Sequence, residues 1–294
     1  MKTILAKITG SSNDAVVLES SYLVASRFNS HIACLYVQID SLQLLVDAAD
    51  GIGFAAGTLP VSPQLQQALI DADRARALLA RQNFDAFCKH RNLRVTDALA
   101  VGNDISASWR EVAGDARDTT IAFGRFHELV VVARSTGGGD LFVDDIGSLL
   151  MASGRPLLLA PSQPPKSIGS TIAVAWKETA EAAHAVTAAM PLLAQATKVI
   201  VLSFPEDASA VAAAKLSCEA LAEQLRWHGV QTQTCTPEAV GQPSAQAIVA
   251  TATQAGADLL VMGAYGHSRA RELIFGGATR HVLNGVGIPV LLSH

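Results

Sequence analysis

Gly263, Gly266 and Gly276 punctuate the segment Met262-Gly-Ala-Tyr-Gly-His-Ser-Arg-Ala-Arg-Glu-Leu-Ile-Phe-Gly-Gly-Ala-Thr-Arg-His281. A glycine puts no Cβ between its N–H and an approaching anion, and it accepts positive φ. Gly276 and Gly277, with Ala278 and Thr279, lead into a helical stretch at 280–284. A helix N-terminus offers free N–H groups and the positive end of a dipole, which together suit phosphate. Thr279 can add a hydroxyl donor. The apolar run before the loop, Asp258-Leu-Leu-Val-Met262, reads as a buried strand. Ligands of open parallel sheets bind beyond the carboxyl ends of their strands. The chemistry of this segment is therefore anion binding on backbone N–H groups.

Other reactive residue types form no comparable constellation. His267 reads either as a phosphate contact or as an exposed loop histidine. Arg269, Arg271 and Arg280 favour anions or form a solvated face, since Glu272 lies among them. Asp144 and Asp145 read as solvated loop acids. A Walker A lysine, a nucleophile elbow and an assignable Ser/His/Asp set are all missing from the sequence. These residues identify no base for turnover. Cys34, Cys88, Cys218 and Cys235 form no C-x-x-C pair, and they read as reduced thiols. Trp109, Trp176 and Trp227 are expected to pack.

The elements that must position the loop repeat along the chain. Thr3-Ile-Leu-Ala-Lys-Ile-Thr9 resembles Thr171-Ile-Ala-Val-Ala-Trp-Lys177, and His31-Ile-Ala-Cys-Leu-Tyr-Val37 resembles Lys198-Val-Ile-Val-Leu-Ser-Phe204. Glu128-Leu-Val-Val-Val132 matches Asp258-Leu-Leu-Val-Met262, and Gly154-Arg-Pro-Leu-Leu-Leu159 matches Gly287-Ile-Pro-Val-Leu-Leu292. Four matches in one order indicate two copies. The Pro/Ser/Gly-rich stretch 161–170 is the expected linker. Helical patterns fall at 179–194, 210–228 (stopped by Gly229) and 244–255, and 71–76 reads as a helix with i,i+3 charge pairs. Continuous apolar strands separated by helices predict parallel sheets covered on both faces. Residues 41–63 read as an elongated loop or short irregular helix. The first copy also looks longer at 103–115.

Half of the 294 residues are hydrophobic and 16% are charged, enough to fill sizeable cores. The formal net charge of -4 leaves no global basic field for nucleic acid or anionic lipid. The longest apolar runs are too short for a membrane-spanning helix. Lys7 and the polar residues after it break the N-terminal run, which reads as a first strand in a cytoplasmic protein, not as a leader.

The pattern G-x2-G-x9-G, its helix and the closing strand at Pro289-Val-Leu-Leu292 resemble the universal stress protein family. The resemblance runs from about Ser170 to His294 and more weakly over the first copy. It implies two tandem α/β domains, 1–163 and 170–294. Each would hold an open, mostly parallel five-stranded sheet flanked by helices, Rossmann-like and of the adenine nucleotide alpha hydrolase-like kind. It also implies that ATP or ADP binds the second domain as a regulatory or assembly ligand. Gly263, Gly266, Gly276, Gly277, Ala278 and Thr279 would lie along the phosphates, with His267 beside them, and Phe204 and Met262 would lie near the adenosine. Two positions depart from the family. Lys177 stands where an aspartate is expected, and Gly277 replaces the Ser/Thr after the third glycine. Lys177 could instead attract phosphate as a point charge.

In the first copy Ala133-Arg-Ser-Thr136 replaces the first glycines, Gly137-Gly-Gly139 is out of register, and Gly147 and Ser148 are expected to open the next helix. No nucleotide is expected there. The copies are expected to pair internally as a pseudo-dimer, and a homodimer is compatible with this. The rival reading is a non-nucleotide interaction module, or a binder of an apolar metabolite between the halves, with a vestigial loop. An adenylyl-transfer enzyme is a third reading, without visible catalytic groups.

Overall fold

A computed structural model describes residues 1–38, 41, 62–98, 104–134, 140–205, 208–236, 245–264, 282 and 286–294. In chain order the elements begin β1 (Thr3–Ile8), α1 (Asp14–Phe28), β2 (His31–Gln38), α2 (Pro63–His90), β3 (Arg94–Val95) and β4 (Ser106–Ala113). Then come α3 (Ala116–Gly124), β5 (Leu129–Val132), α4 (Asp140–Ser153) and β6 (Leu157–Leu159). The second half holds β7 (Thr171–Ala175), α5 (Ala180–Leu193), β8 (Lys198–Leu202), α6 (Val211–Arg226), β9 (Thr232–Cys235), α7 (Ala245–Gln254), β10 (Leu259–Gly263) and β11 (Val290–Ser293).

The strands join into one sheet of eleven, ordered β3-β4-β2-β1-β5-β6-β11-β10-β7-β8-β9. Apart from the two-residue β3, each half runs through the same order: first strand central, second and third to one side, fourth and fifth to the other. All pairings are parallel except β6 with β11, where Leu157, Leu158 and Leu159 oppose Leu292, Leu291 and Val290. The open parallel α/β architecture expected from the sequence is thus present, with the two sheets fused edge to edge. The reason is local. β6 and β11 are buried throughout, and an apolar edge strand left unpaired would expose both its backbone groups and its side chains. Each leucine so buried contributes about 2 kcal/mol.

Strand alternation divides the core by face. Ile4, Ala6, Ile32, Val131, Leu158, Val174, Val261 and Leu291 pack with residues of α1, α2, α5 and α6. Leu5, Leu35, Val130, Leu157, Leu159, Leu260, Met262 and Leu292 pack against Ile121 of α3, Ile146 and Leu149 of α4 and Ala252 of α7. Both layers cross the β6–β11 seam.

The helix termini follow from their sequences. Ser62 caps α2 through Leu65 N at 3.2 Å, with Pro63 in the first turn. Thr179 caps α5, and Gly229, at φ +77°, follows α6 where the sequence placed a stop. Within α2, Arg74 lies 3.9 Å from Asp71, and Arg76 pairs with Asp73, the expected i,i+3 pattern. Several expectations change. The extra length at 103–115 is largely strand β4 itself, and Gly147 and Ser148 lie inside α4, which begins at Asp140. The irregular stretch 41–63 falls mostly on residues outside those described. Trp109 packs against Tyr36 and Phe84, and Trp176 is half-buried with its indole N–H on Ser217 Oγ at 2.9 Å. Trp227, by contrast, is 85% exposed, because it follows the last turn of α6 on the solvent side. The four cysteines are free thiols.

Candidate functional site

In the second half the strand order reverses between β10 and β7, the place where open α/β sheets leave a crevice at their carboxyl ends. Register brings the predicted residues to that edge. Met262 lies opposite Ala175, and Ala175 lies opposite Leu202. Phe204 follows Leu202 by two positions and packs, half-buried, on the same apolar layer as Met262. Lys177 follows Ala175 by two positions and is exposed, and its carbonyl accepts from Thr179 N at 2.7 Å. Lys177, Phe204, Met262 and Gly263 therefore gather at the ends of three adjacent strands. Gly266, His267, Gly276, Gly277, Ala278 and Thr279 lie outside the described residues.

Gly263 has a local requirement of its own. A Cβ there would stand 2.6 Å from both Ala182 N and Glu181 C. The N-terminus of α5 thus lies directly on the end of β10, and only glycine permits that contact. The positive end of α5 already has an anion. The Glu181 carboxyl is held below the ordinary glutamate value, first by its own backbone N–H. Burial opposes this, while the Thr179 hydroxyl, His294 and His184 reinforce it. His294 Nδ1 lies 3.1 Å from Ala264 O and ties the last residue to the same edge. The sequence reading missed Thr179, Glu181 and His294. A threonine followed by an acid at a helix start is a legible cap signal, whereas nothing in the sequence marks His294. Among the described residues no cluster of His, Cys, Asp or Glu could hold a metal ion.

The first half offers a different surface at the same place. Ala6 and Val131 oppose each other as Val174 and Val261 do. Lys7, Ala133 and Arg134 therefore take the positions of Ala175, Gly263 and Ala264. The turn after β1 is built on Asp14, which is 1% exposed. Its carboxylate accepts from Thr9 N at 2.9 Å, Gly10 N at 3.0 Å and Asn83 Nδ2 at 3.0 Å. At Gly10 (φ +73°) a Cβ would stand 2.2 Å from Arg76 O, so α2 presses on this turn as α5 presses on Gly263.

Comparison with known proteins agrees with this geometry. The universal stress protein family matches residues 170–294. A comparison with curated proteins finds no match. A universal stress protein from Archaeoglobus fulgidus superposes with a TM-score of 0.68 at 16% identity, covering 99% of this chain and 95% of that one. A functionally unknown protein from Pseudomonas aeruginosa PAO1 superposes with a TM-score of 0.59 at 16% identity, covering 100% and 92%. At such identities the superpositions establish the fold over the whole chain, and the sequence match identifies the second half. Residues 170–294 thus match the universal stress protein family, and the superpositions extend the fold over the rest of the chain.

Proposed function

We propose that this is a stress-response protein whose residues 170–294 bind ATP or ADP as a regulatory or assembly ligand, not as a substrate for turnover. The observation that carries the reading is the convergence of Met262, Gly263, Phe204 and Lys177 at the switch point between β7 and β10, where the glycine loop departs. Glu181 already satisfies the N-terminus of α5, so phosphate is assigned to the loop, on Gly266, Gly276, Gly277, Ala278 and Thr279, with His267 beside it. We further read residues 1–163 and 170–294 as tandem domains forming an internal pseudo-dimer about the β6–β11 seam. The shared strand order and the antiparallel seam support this. A cytoplasmic setting goes with the reading, and so does a homodimer that adds a second copy to the internal pair. Among the described residues no helix is long and apolar enough to cross a membrane.

Calorimetry on the full chain tests the nucleotide. Saturable heat with ATP or ADP is expected, weakened at least about tenfold by Gly276→Val, a change of about 1.4 kcal/mol. Arg269→Ala should weaken it only a few-fold, and mostly at low salt. Lys177→Asp should restore the family carboxylate and sharpen selectivity for adenosine. If wild type gives no heat with ATP, ADP or AMP at millimolar concentration, the nucleotide reading fails. The interaction-module reading, which Lys177 and Gly277 favour, then takes its place.

A further inference from the structure

The switch point of the first half, between β1 and β5, holds a cavity of about 290 Å³. Lys7, Arg117 and Arg134 line it together with Asp145, giving two more positive than negative groups. Thr9, Ser11, Asn13 and Thr120 add polar groups, and Val132, Ala133, Ile146 and Leu149 form an apolar wall. The volume sits at the lower end of the range for small-molecule sites.

The cations are out of place for a sheet buried on both faces. Lys7 falls on the strand face that Leu5 gives to the core, and its counterpart in the second half is Ala175. Burial lowers its pKa, while Asp145 and Asp115 act to raise it. Arg117 has Asp118 at 3.6 Å. Arg134 is the unusual one. It is only 8% exposed, and it has no acidic partner among the described residues. Burial lowers its pKa to about 10, which leaves it charged at neutral pH. Its Nη1 donates to Val286 O of the second half at 2.5 Å, and Asn13 Nδ2 holds its backbone carbonyl at 3.0 Å. Among the described residues its Nε and Nη2 have no hydrogen-bond partner. These two nitrogens form one edge of the guanidinium, with parallel N–H bonds spaced to meet both oxygens of a carboxylate. A buried, uncompensated charge with two unmet donors is costly. An anion in the adjoining cavity removes that cost.

We propose that the first half binds a small organic carboxylate, seated on the Nε/Nη2 edge of Arg134 with its apolar part against Val132, Ile146 and Leu149. Phosphate would satisfy the same edge but leave the apolar wall without a partner, which is why the carboxylate is favoured. The second half cannot repeat the site, because Ala175 and Ala264 stand at the positions of Lys7 and Arg134.

The test uses the full chain with hexanoate and inorganic phosphate as probes. In ¹H–¹⁵N spectra of the arginine side chains, hexanoate should shift one Nε–H resonance saturably, and phosphate should shift it at about tenfold higher concentration. Arg134→Lys should abolish that resonance and weaken hexanoate binding, followed by calorimetry, about tenfold, because an ammonium retains charge but loses the paired donors. Lys7→Met leaves Arg134 intact and should weaken binding several-fold. Since Arg134 also anchors the second half, Lys7→Met and the wild-type resonance decide the matter if Arg134→Lys fails to fold. Three results would overturn the proposal: no Nε–H shift with hexanoate, phosphate binding as tightly as hexanoate, or unchanged hexanoate affinity in Lys7→Met.

Discussion

The two halves of the sheet use one strand order and one way of starting it, yet finish it with opposite chemistry. At the amino ends, a carboxylate just before the fourth strand grips the start of the first strand in each half. Glu128 accepts from Thr3 N at 3.0 Å and also from Lys2 N, and Asp258 accepts from the N–H groups of Gly169, Ser170 and Thr171 at 3.0–3.1 Å. At the carboxyl ends the halves part. The first sets cations, half-buried Lys7 and buried Arg134, around a closed turn held by Asp14. The second ends its strands on small residues, Ala175, Gly263 and Ala264, and the glycine-rich segment follows Ala264 in sequence. The scaffold keeps the residues that hold strands together, and the crevice is where its two copies differ. The carboxyl edge is therefore where the two halves are equipped differently.

The comparison can be broken most severely where helix meets strand end. Gly10→Ala should cost the most, at least about 3 kcal/mol in urea denaturation, because positive φ strain adds to a clash with α2 backbone. Gly263→Ala should follow at about 2–3 kcal/mol, from the clash with Glu181 and Ala182 alone. The reverse change, Ala133→Gly, should cost under about 1 kcal/mol, since no such contact is required of Ala133. If Gly263→Ala and Ala133→Gly destabilise equally, the two edges are not built as described.

The amino-end carboxylates sharpen the comparison at smaller scale. Asp258→Ala removes the acceptor of three half-buried N–H groups and should cost about 2 kcal/mol. Glu128→Gln should cost less, since that side chain is 47% exposed. Burial pushes the Glu128 carboxyl up, but the Lys2 and Thr3 N–H groups and the N-terminal ammonium outweigh it and leave it below the ordinary glutamate value. A depressed folded-state pKa stabilises above the unfolded value and loses that contribution as pH falls through the folded one. The gap between wild type and Glu128→Gln should therefore be full at neutral pH and close below about pH 4. A gap that widens on acidification would contradict this. Smallest of all, Trp227→Ala should shift stability by less than about 0.5 kcal/mol, because the ring lies in solvent.

Much of this was legible in the residues. The repeated runs at Thr3 and Thr171, and at Glu128 and Asp258, mark strands that occupy equivalent places in the order, because buried parallel strands read as unbroken apolar runs. The helix at 180–193 followed from alanine-rich sequence, and that at 211–226 from apolar periodicity stopped by Gly229. The fusion of the two sheets was not legible. Leu157–Leu159 and Val290–Ser293 look like any buried strand, and nothing in them says that each pairs with the other. Strand β4 was read as extra length because Ser106–Ala113 carries Trp109, Arg110 and Glu111 and lacks an apolar run. At the site, the glycine spacing pointed to the carboxyl edge of the second half, while the pairing of α5 with Gly263 emerged only from packing. The first-half cavity was invisible for a different reason. Lys7 and Arg134 lie 127 positions apart in the chain, and only the β1–β5 register brings them together.

The central claim is that the halves divide their ligands, with nucleotide at the glycine edge and none at the cationic one. The most direct measurement is a crystal structure of the full chain grown with ATP. The account predicts nucleotide density beyond the ends of β7 and β10, against Met262, Gly263 and Phe204, and no nucleotide in the cavity of Lys7 and Arg134. Nucleotide density in that cavity, with none at the glycine edge, would contradict it.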